Sequence, residues 1–187
     1  VAGHARWAIE HGADLVVGAT GWAPADLEGL DFSRTGLLVA PNFSLAVAFM
    51  RRVAVALGRF AAAAPGSDLS IVERHHRMKA DAPSGTAKLL ASALAEGCPR
   101  YVGWSQDRAE AGKINVASLR AGVDIGYHEL RYESALEKIV ISHEALSRNV
   151  FAAGAVRALR WIRGKKGRYT FDDLAAEVIS PMFKEST

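Results

Sequence analysis

Between Glu73 and Ala87 the chain reads Glu-Arg-His-His-Arg-Met-Lys-Ala-Asp-Ala-Pro-Ser-Gly-Thr-Ala, so imidazoles, an ammonium, a carboxylate and a helix entry share one loop. Histidine and lysine this close together suit proton transfer near neutral pH. Pro83 followed by Ser84-Gly85-Thr86 marks a helix start, where backbone N–H groups lack intrahelical partners. With the Ser84 and Thr86 hydroxyls, and no side chain on Gly85 to block approach, those N–H groups form a socket for a carboxylate or phosphate. Lys79 supplies the countercharge. The plainer alternative is that Ser84 only caps its own helix. His75 and His76 are neighbours at a strand end, so their side chains leave on opposite faces and do not share a metal ion. One faces the cleft while the other braces the loop.

The elements that position this loop are readable on either side. Asp68–Val72 has the β-branched and apolar residues of a buried strand, and Thr86 to Ala95 is helical. Upstream, Ala2 to Glu10 reads as a helix, and Asp14–Gly18 and Leu37–Ala40 read as short apolar strands of a parallel sheet. Leu45 to Ala64 is a long helix with Leu45, Phe49, Val53, Leu57 and Phe60 at helical spacing, stopped by Pro65-Gly66. Gly97 to Gly112 is polar and reads as a loop. Ile114–Arg120, Gly126–Glu133 and Lys138–His143 then follow as strands of an antiparallel meander. A helix from Ser147 to about Arg163, ended by Gly164 and Gly167, and a short one from Phe171 to Ile179 close the chain. The predicted class is α/β and α+β: an incomplete Rossmann-like parallel-sheet domain plus a substrate and oligomerisation domain with a mixed, largely antiparallel sheet. The expected divisions are 1–65, 66–146 and 147–187.

The chain has 187 residues, half of them hydrophobic, enough for one large core or two small ones. The single Cys98 excludes an internal disulfide and fits a reducing cytosol, and it is given no role. The longest apolar stretch, Leu45 to Ala64, is broken by Arg51, Arg52 and Arg59, which argues against a membrane span. Net charge is only +3, and the basic run from Arg157 to Arg168 reads as a solvated helix end, so nucleic-acid binding is not expected.

Glu73 to Ala87 resembles the signature E-x-H-H-x-x-K-x-D-A-P-S-G-T-A of the 4-hydroxy-tetrahydrodipicolinate (dihydrodipicolinate) reductase family at every fixed position. The resemblance implies an NAD(P)H-dependent reductase of the diaminopimelate route to lysine, acting on a small cyclic dicarboxylate in the cytoplasm as a homotetramer. It implies His75 as catalytic proton donor and acceptor, Lys79 as second proton donor, and His76, Ser84, Gly85 and Thr86 around the substrate. Gly18-Ala19-Thr20-Gly21 is similar to the family's G-T-T-G, with Ala19 replacing a usual threonine, and Ala40-Pro41-Asn42-Phe43-Ser44 is similar to its A-x-N-F-S. The resemblance therefore puts Gly18, Ala19, Thr20, Ala40, Pro41, Asn42 and Phe43 near the nicotinamide, with Arg148 also near the cofactor. The alternative for Arg148 is an ordinary surface residue in the first helical turn. Arg120-Ala-Gly122, Gly126-x-His128 and His143-x-Ala145 match the family's sheet pattern, and His128 and His143 are read as structural.

G-x-G-x-x-G, the loop that would cradle a pyrophosphate, does not occur in the sequence. By resemblance the chain looks like a family member without the N-terminal part of its cofactor domain. Tight dinucleotide binding by this chain alone is therefore not expected, and NADH and NADPH are not distinguished. Two rival classes draw on the same residues: a non-catalytic dicarboxylate-binding or oligomerisation module descended from the reductase, and a metal-dependent hydrolase using His75 and His76. The opposed directions of the two histidines place the hydrolase last, and no metal is expected.

Overall fold

A computed structural model describes residues 1–106 and 108–183. They form two compact units, Val1–Ala48 with the chain from Asn149 onward, and Phe49–Arg148.

The first unit contains α1 (Ala2–Glu10), β1 (Leu15–Val17), a 3-10 turn (Pro24–Leu27), β2 (Gly36–Val39) and the start of α2 (Leu45–Ala62). Its strands form a parallel sheet in the order β1-β2-β8, in which Leu15 pairs with Leu37 and Leu38 with Tyr169; β8 runs from Gly167 to Thr170. Apolar residues cover both faces. Leu38 packs with Ala158 and Ile162 of α4 (Asn149–Ile162) and with Phe171, Leu174 and Ile179 of α5 (Phe171–Ile179). Leu37 packs on the other side with Ala5, Val17, Leu27 and Phe32. This two-sided burial is why β1 and β2 read as unbroken apolar runs. β8 was not expected from the sequence, because Gly-Arg-Tyr-Thr is short and half-exposed. It forms because β2 has a free edge, and Thr170 then caps α5 reciprocally with Asp173, its N–H donating to Oδ2 at 2.7 Å.

The second unit holds most of α2, then β3 (Asp68–His75), α3 (Gly85–Gly97), β4 (Trp104–Gln106), β5 (Ile114–Arg120), β6 (Tyr127–Glu133) and β7 (Lys138–Glu144). The sheet order is β4-β5-β3-β6-β7. The expected meander of three consecutive strands is corrected here: β3 lies between β5 and β6, parallel to the first and antiparallel to the second. β5 returns parallel to β3 by way of α3, as a strand-helix-strand crossover does, and the Gly97–Gly112 loop contributes the small strand β4 to the edge. β6 and β7 do form the expected hairpin, with His128 opposite His143.

α2 and α3 cover one face of this sheet. Leu69, Ile71, Ile114, Val116, Leu130 and Tyr132 form a core with Leu90 and Leu94 of α3 and with Met50, Ala54, Leu57 and Ala61 of α2. Each large apolar side chain removed from water there contributes roughly 1.5–3 kcal/mol. The buried stripe on α2 differs from the one read from its largest residues: Phe49 and Phe60 are exposed, while Ala54, Leu57 and Ala61 face the core. Small residues win because α3 approaches closely there. This core also explains why α2 belongs mostly to the second unit, so that the division falls at Ala48 and Phe49 and not at the Pro65-Gly66 turn. Among the described residues, no helix is long and apolar enough to cross a membrane.

Candidate active site

Alternation along β3 sends Leu69, Ile71, Glu73 and His75 to the covered face. The first two are core; the last two pass under the N-terminus of α3. A carboxylate on the covered face must be compensated, and Glu73, fully buried, has three donors. His75 Nδ1 lies 2.5 Å from its Oε2. Arg120 Nη2 donates to Oε1 at 2.6 Å, and the Ser84 N–H donates to the same oxygen at 3.2 Å. Burial pushes the Glu73 carboxyl up, but the bonds from His75 and Arg120 more than offset it and hold the group well below the usual carboxylate range.

The proton-transfer candidates join this hub. Arg120 Nη2 also donates to the Asp81 carbonyl at 2.6 Å, and Lys79 Nζ pairs with Asp81 Oδ1 at 2.7 Å. The Lys79 ammonium holds the Asp81 carboxyl below its ordinary value. His76 is half-buried and serves the turn through its backbone: its N–H donates to the Asp124 carbonyl at 2.7 Å and its own carbonyl accepts from the Lys79 N–H at 3.1 Å. His75 is buried and His76 is not, as expected from their opposite directions. Beyond His75 lies Gly126, where a Cβ would stand 3.0 Å from Nε2, so no side chain there crowds that nitrogen.

At the anion socket, Gly85 is exposed and a Cβ on it would meet nothing within 4 Å, so approach to the helix N-terminus is open. Thr86 is half-buried beside it. Ser84 departs from its expected place among the lining residues: it is 2% exposed and faces inward. Its Oγ accepts from the Ala87 N–H at 3.1 Å, capping α3, and meets His128 Nε2 at 3.1 Å. Capping and site-building are therefore one job for this residue, with Gly85 and Thr86 left at the mouth.

Glu73, His75 and His128 bring ligand-type atoms within 4.8 Å of one another. Glu73 and His75 Nδ1 are hydrogen-bonded to each other and His128 Nε2 to Ser84, and the Arg120 cation on Glu73 repels a second positive charge. The cluster is thus bound together as a hydrogen-bond hub. His128 is read as structural, and its burial agrees with a neutral ring: desolvation, aided by the neighbouring His75, pulls its pKa down to about 3. A histidine with a depressed folded pKa stabilises the fold above its unfolded value and loses that contribution as pH falls. We therefore expect the second unit to lose roughly 3 kcal/mol of stability from this ring between about pH 6.5 and pH 4.5. Denaturant titrations of the chain at several pH values check this, and His128→Gln should flatten the slope within that window; an unchanged slope would refute it.

Of the residues predicted to face a cofactor, Gly18, Ala19, Thr20, Ala40, Pro41, Asn42 and Phe43 lie in the first unit, and Arg148 is the last residue of the second. The Ala40 N–H donates to the Val17 carbonyl at 3.0 Å, so Gly18-Ala19-Thr20 and Ala40-Pro41-Asn42 meet at the C-terminal ends of β1 and β2. That edge is where ligands of parallel α/β sheets bind. Gly18, Ala19, Thr20 and Pro41 are exposed, whereas Ala40 and Phe43 are buried. A Cβ on Gly18 would lie 2.7 Å from the Phe43 ring, so these two predicted residues touch. Asn42 Oδ1 accepts from the Ser44 N–H at 2.8 Å, shaping the turn into α2. Arg148 is exposed and lies immediately before α4, outside the helical turn expected of it.

Sequence reading passed over Glu73, Arg120 and Asp81 as functional positions. For Glu73 a signal existed, since its spacing of two from His75 on a strand puts both on one face.

The family described as dihydrodipicolinate reductase, C-terminus, matches residues 44–175. A 4-hydroxy-tetrahydrodipicolinate reductase of Myxococcus xanthus is 39% identical over 171 residues, covering 87% of this chain and 62% of its own length. One of Acidiphilium cryptum is 38% identical, covering 93% of this chain and 74% of its own. The chain thus spans less than two thirds of the Myxococcus relative. In fold it is similar to a dipicolinate-bound dihydrodipicolinate reductase from Paenisporosarcina, with a TM-score of 0.70 at 24% identity over 90% of this chain and 67% of that one.

Proposed function

The chain belongs to the dihydrodipicolinate reductase C-terminus family, and from that premise we propose that it supplies the substrate-binding and proton-transfer half of an NAD(P)H-dependent 4-hydroxy-tetrahydrodipicolinate reductase. The observation that carries this reading is one connected set of groups, His75, Glu73, Arg120, Asp81 and Lys79, beside an open helix N-terminus at Gly85 and Thr86. A cyclic dicarboxylate needs donors for its carboxylates and acids near its ring. Gly85, Thr86, His76 and Lys79 serve the carboxylates, while His75 exchanges a proton at Nε2 and Lys79 is the second proton donor.

When bound, the nicotinamide supplies the hydride. Gly18, Ala19, Thr20, Ala40, Pro41, Asn42, Phe43 and Arg148 are the residues of this chain that would face it, and the exposed C-terminal edge of β1 and β2 fits a flat ring. The homotetramer belongs to the same proposal and is supported by Leu119 and Val140, exposed on the sheet face opposite the core.

Calorimetric titration of dipicolinate into this chain tests the substrate half without requiring turnover. Saturable binding at one site is expected, weakened roughly tenfold or more by Lys79→Ala, since a charged hydrogen bond is worth about 1.5–3 kcal/mol. Absence of saturable binding, or equal affinity in the variant, would overturn the reading.

A further inference from the structure

We infer that Glu73 is a positioning residue for His75, holding the imidazole proton on Nδ1 so that Nε2 is the nitrogen that meets the reactant. The inference rests on the reading of His75 as the proton-transfer group and goes beyond it by naming what orients that group.

The two oxygens of Glu73 are not equivalent. Oε1 receives the Arg120 guanidinium at 2.6 Å and the Ser84 N–H at 3.2 Å, and neither can accept a proton in return. Oε2 faces His75 Nδ1 at 2.5 Å. The carboxylate is ionised, since hydrogen bonding more than offsets its burial. An ionised carboxylate only accepts, so Nδ1 must be the donor and the lone pair of neutral His75 must sit on Nε2. That nitrogen points to the space beside Gly126, where a Cβ would crowd it at 3.0 Å. The His128 ring stands edge-on to His75 with centroids 5.2 Å apart, which limits rotation of the imidazole. Through Arg120 and the Asp81 carbonyl, the same carboxylate is tied to the loop carrying Lys79.

The amide of Glu73→Gln makes the test sharp. Arg120 and the Ser84 N–H both demand an acceptor at the Oε1 position, so the amide oxygen stays there and the NH2 turns to His75 Nδ1. Nδ1 must then accept, and the ring proton moves to Nε2. Nitrogen NMR of histidine-labelled protein reads the tautomer of the neutral ring directly. The wild-type chain is expected to carry the proton on Nδ1, Glu73→Gln on Nε2, and Glu73→Asp, which keeps an anionic acceptor, on Nδ1 again. A wild-type spectrum with the proton on Nε2 would overturn the inference even if the glutamine variant failed to fold, and so would a glutamine variant that keeps it on Nδ1.

With cofactor and substrate supplied, Glu73→Gln should lower turnover by roughly 10,000-fold, the loss known for a catalytic histidine held in the wrong tautomer. Dipicolinate affinity should stay within about twofold, because the socket donors are retained. A flipped tautomer with undiminished turnover would also overturn the assigned role. Because the tautomer is read without any assay, an inactive parent enzyme would count against the reductase reading and not against this one.

Discussion

On the proposed reading, replacing His75 with glutamine should lower reductase turnover by roughly 100- to 10,000-fold, the usual contribution of a positioned general acid or base. Affinity for the nicotinamide cofactor should stay within about twofold. Glutamine is chosen because its NH2 can still donate to Glu73 Oε2, so the buried carboxylate keeps a partner and the fold is spared. What disappears is the proton-exchanging Nε2 that faces the space beside Gly126. Single-turnover kinetics with saturating cofactor separate the chemical step from binding. Turnover near that of the parent would remove His75 from the mechanism.

Lys79 should behave differently, and the contrast is informative. Its ammonium is paired with Asp81 on the exposed side of the loop, at 2.7 Å, and is not locked inside the hub. In the proposed role, removing it costs both carboxylate recognition and a proton, so Lys79→Ala should raise KM and lower kcat together, where His75→Gln acts on kcat alone. Combining the two changes should cost less than the product of the single losses, because both groups serve one proton-transfer event.

Much of this site was legible in the sequence because it is local. The strand end, the opposed histidines, the helix entry at Ser84 and the open approach at Gly85 follow from periodicity and capping rules over Glu73 to Ala87 alone. What could not be read is what lies opposite. Arg120 reaches Glu73 because β5 pairs with β3 in a register that sets His75 opposite Arg120. The sequence suggested a hairpin between β5 and β6, and nothing local shows that β3 is inserted between them. Ser84 illustrates the same limit: its capping bond to Ala87 was predictable, while its contact with His128 depends on β6 lying beside β3. The pairing of Glu73 with His128 across those strands puts the neutral histidine under the helix entry. The hub therefore combines one legible segment with two long-range pairings.

A large loss of stability is expected from Gly97→Ala, a substitution that in most helices is neutral or favourable. Alanine in a helix interior gains about 1 kcal/mol over glycine through reduced backbone entropy, so propensity alone forecasts stabilisation at Gly58, and a smaller gain at Gly97 in the last turn of α3. Packing reverses the sign. A Cβ on Gly97 would lie 2.2 Å from the Val55 carbonyl oxygen and 2.8 Å from the Arg59 nitrogen, and one on Gly58 would lie 2.3 Å from the Leu94 carbonyl oxygen. These are backbone atoms of the opposing helices, so no rotamer change can relieve the overlap; α2 and α3 must separate. Overpacking costs typically 1–3 kcal/mol, and because whole helices must move here we expect about 3 kcal/mol or more for each alanine. The double variant should cost less than the sum of the single losses, since one separation relieves both contacts. The consequence reaches the site, because α3 begins at Gly85 and carries the Ser84 cap on its first turn. Displacing it stretches the Ser84 N–H bond to Glu73 and moves the socket away from His75. Denaturant midpoints of the single and double variants, measured with dipicolinate affinity, check both parts. A midpoint at or above that of the parent would show that the helices separate at no cost, and the close crossing would then not be what fixes the height of α3 over the hub.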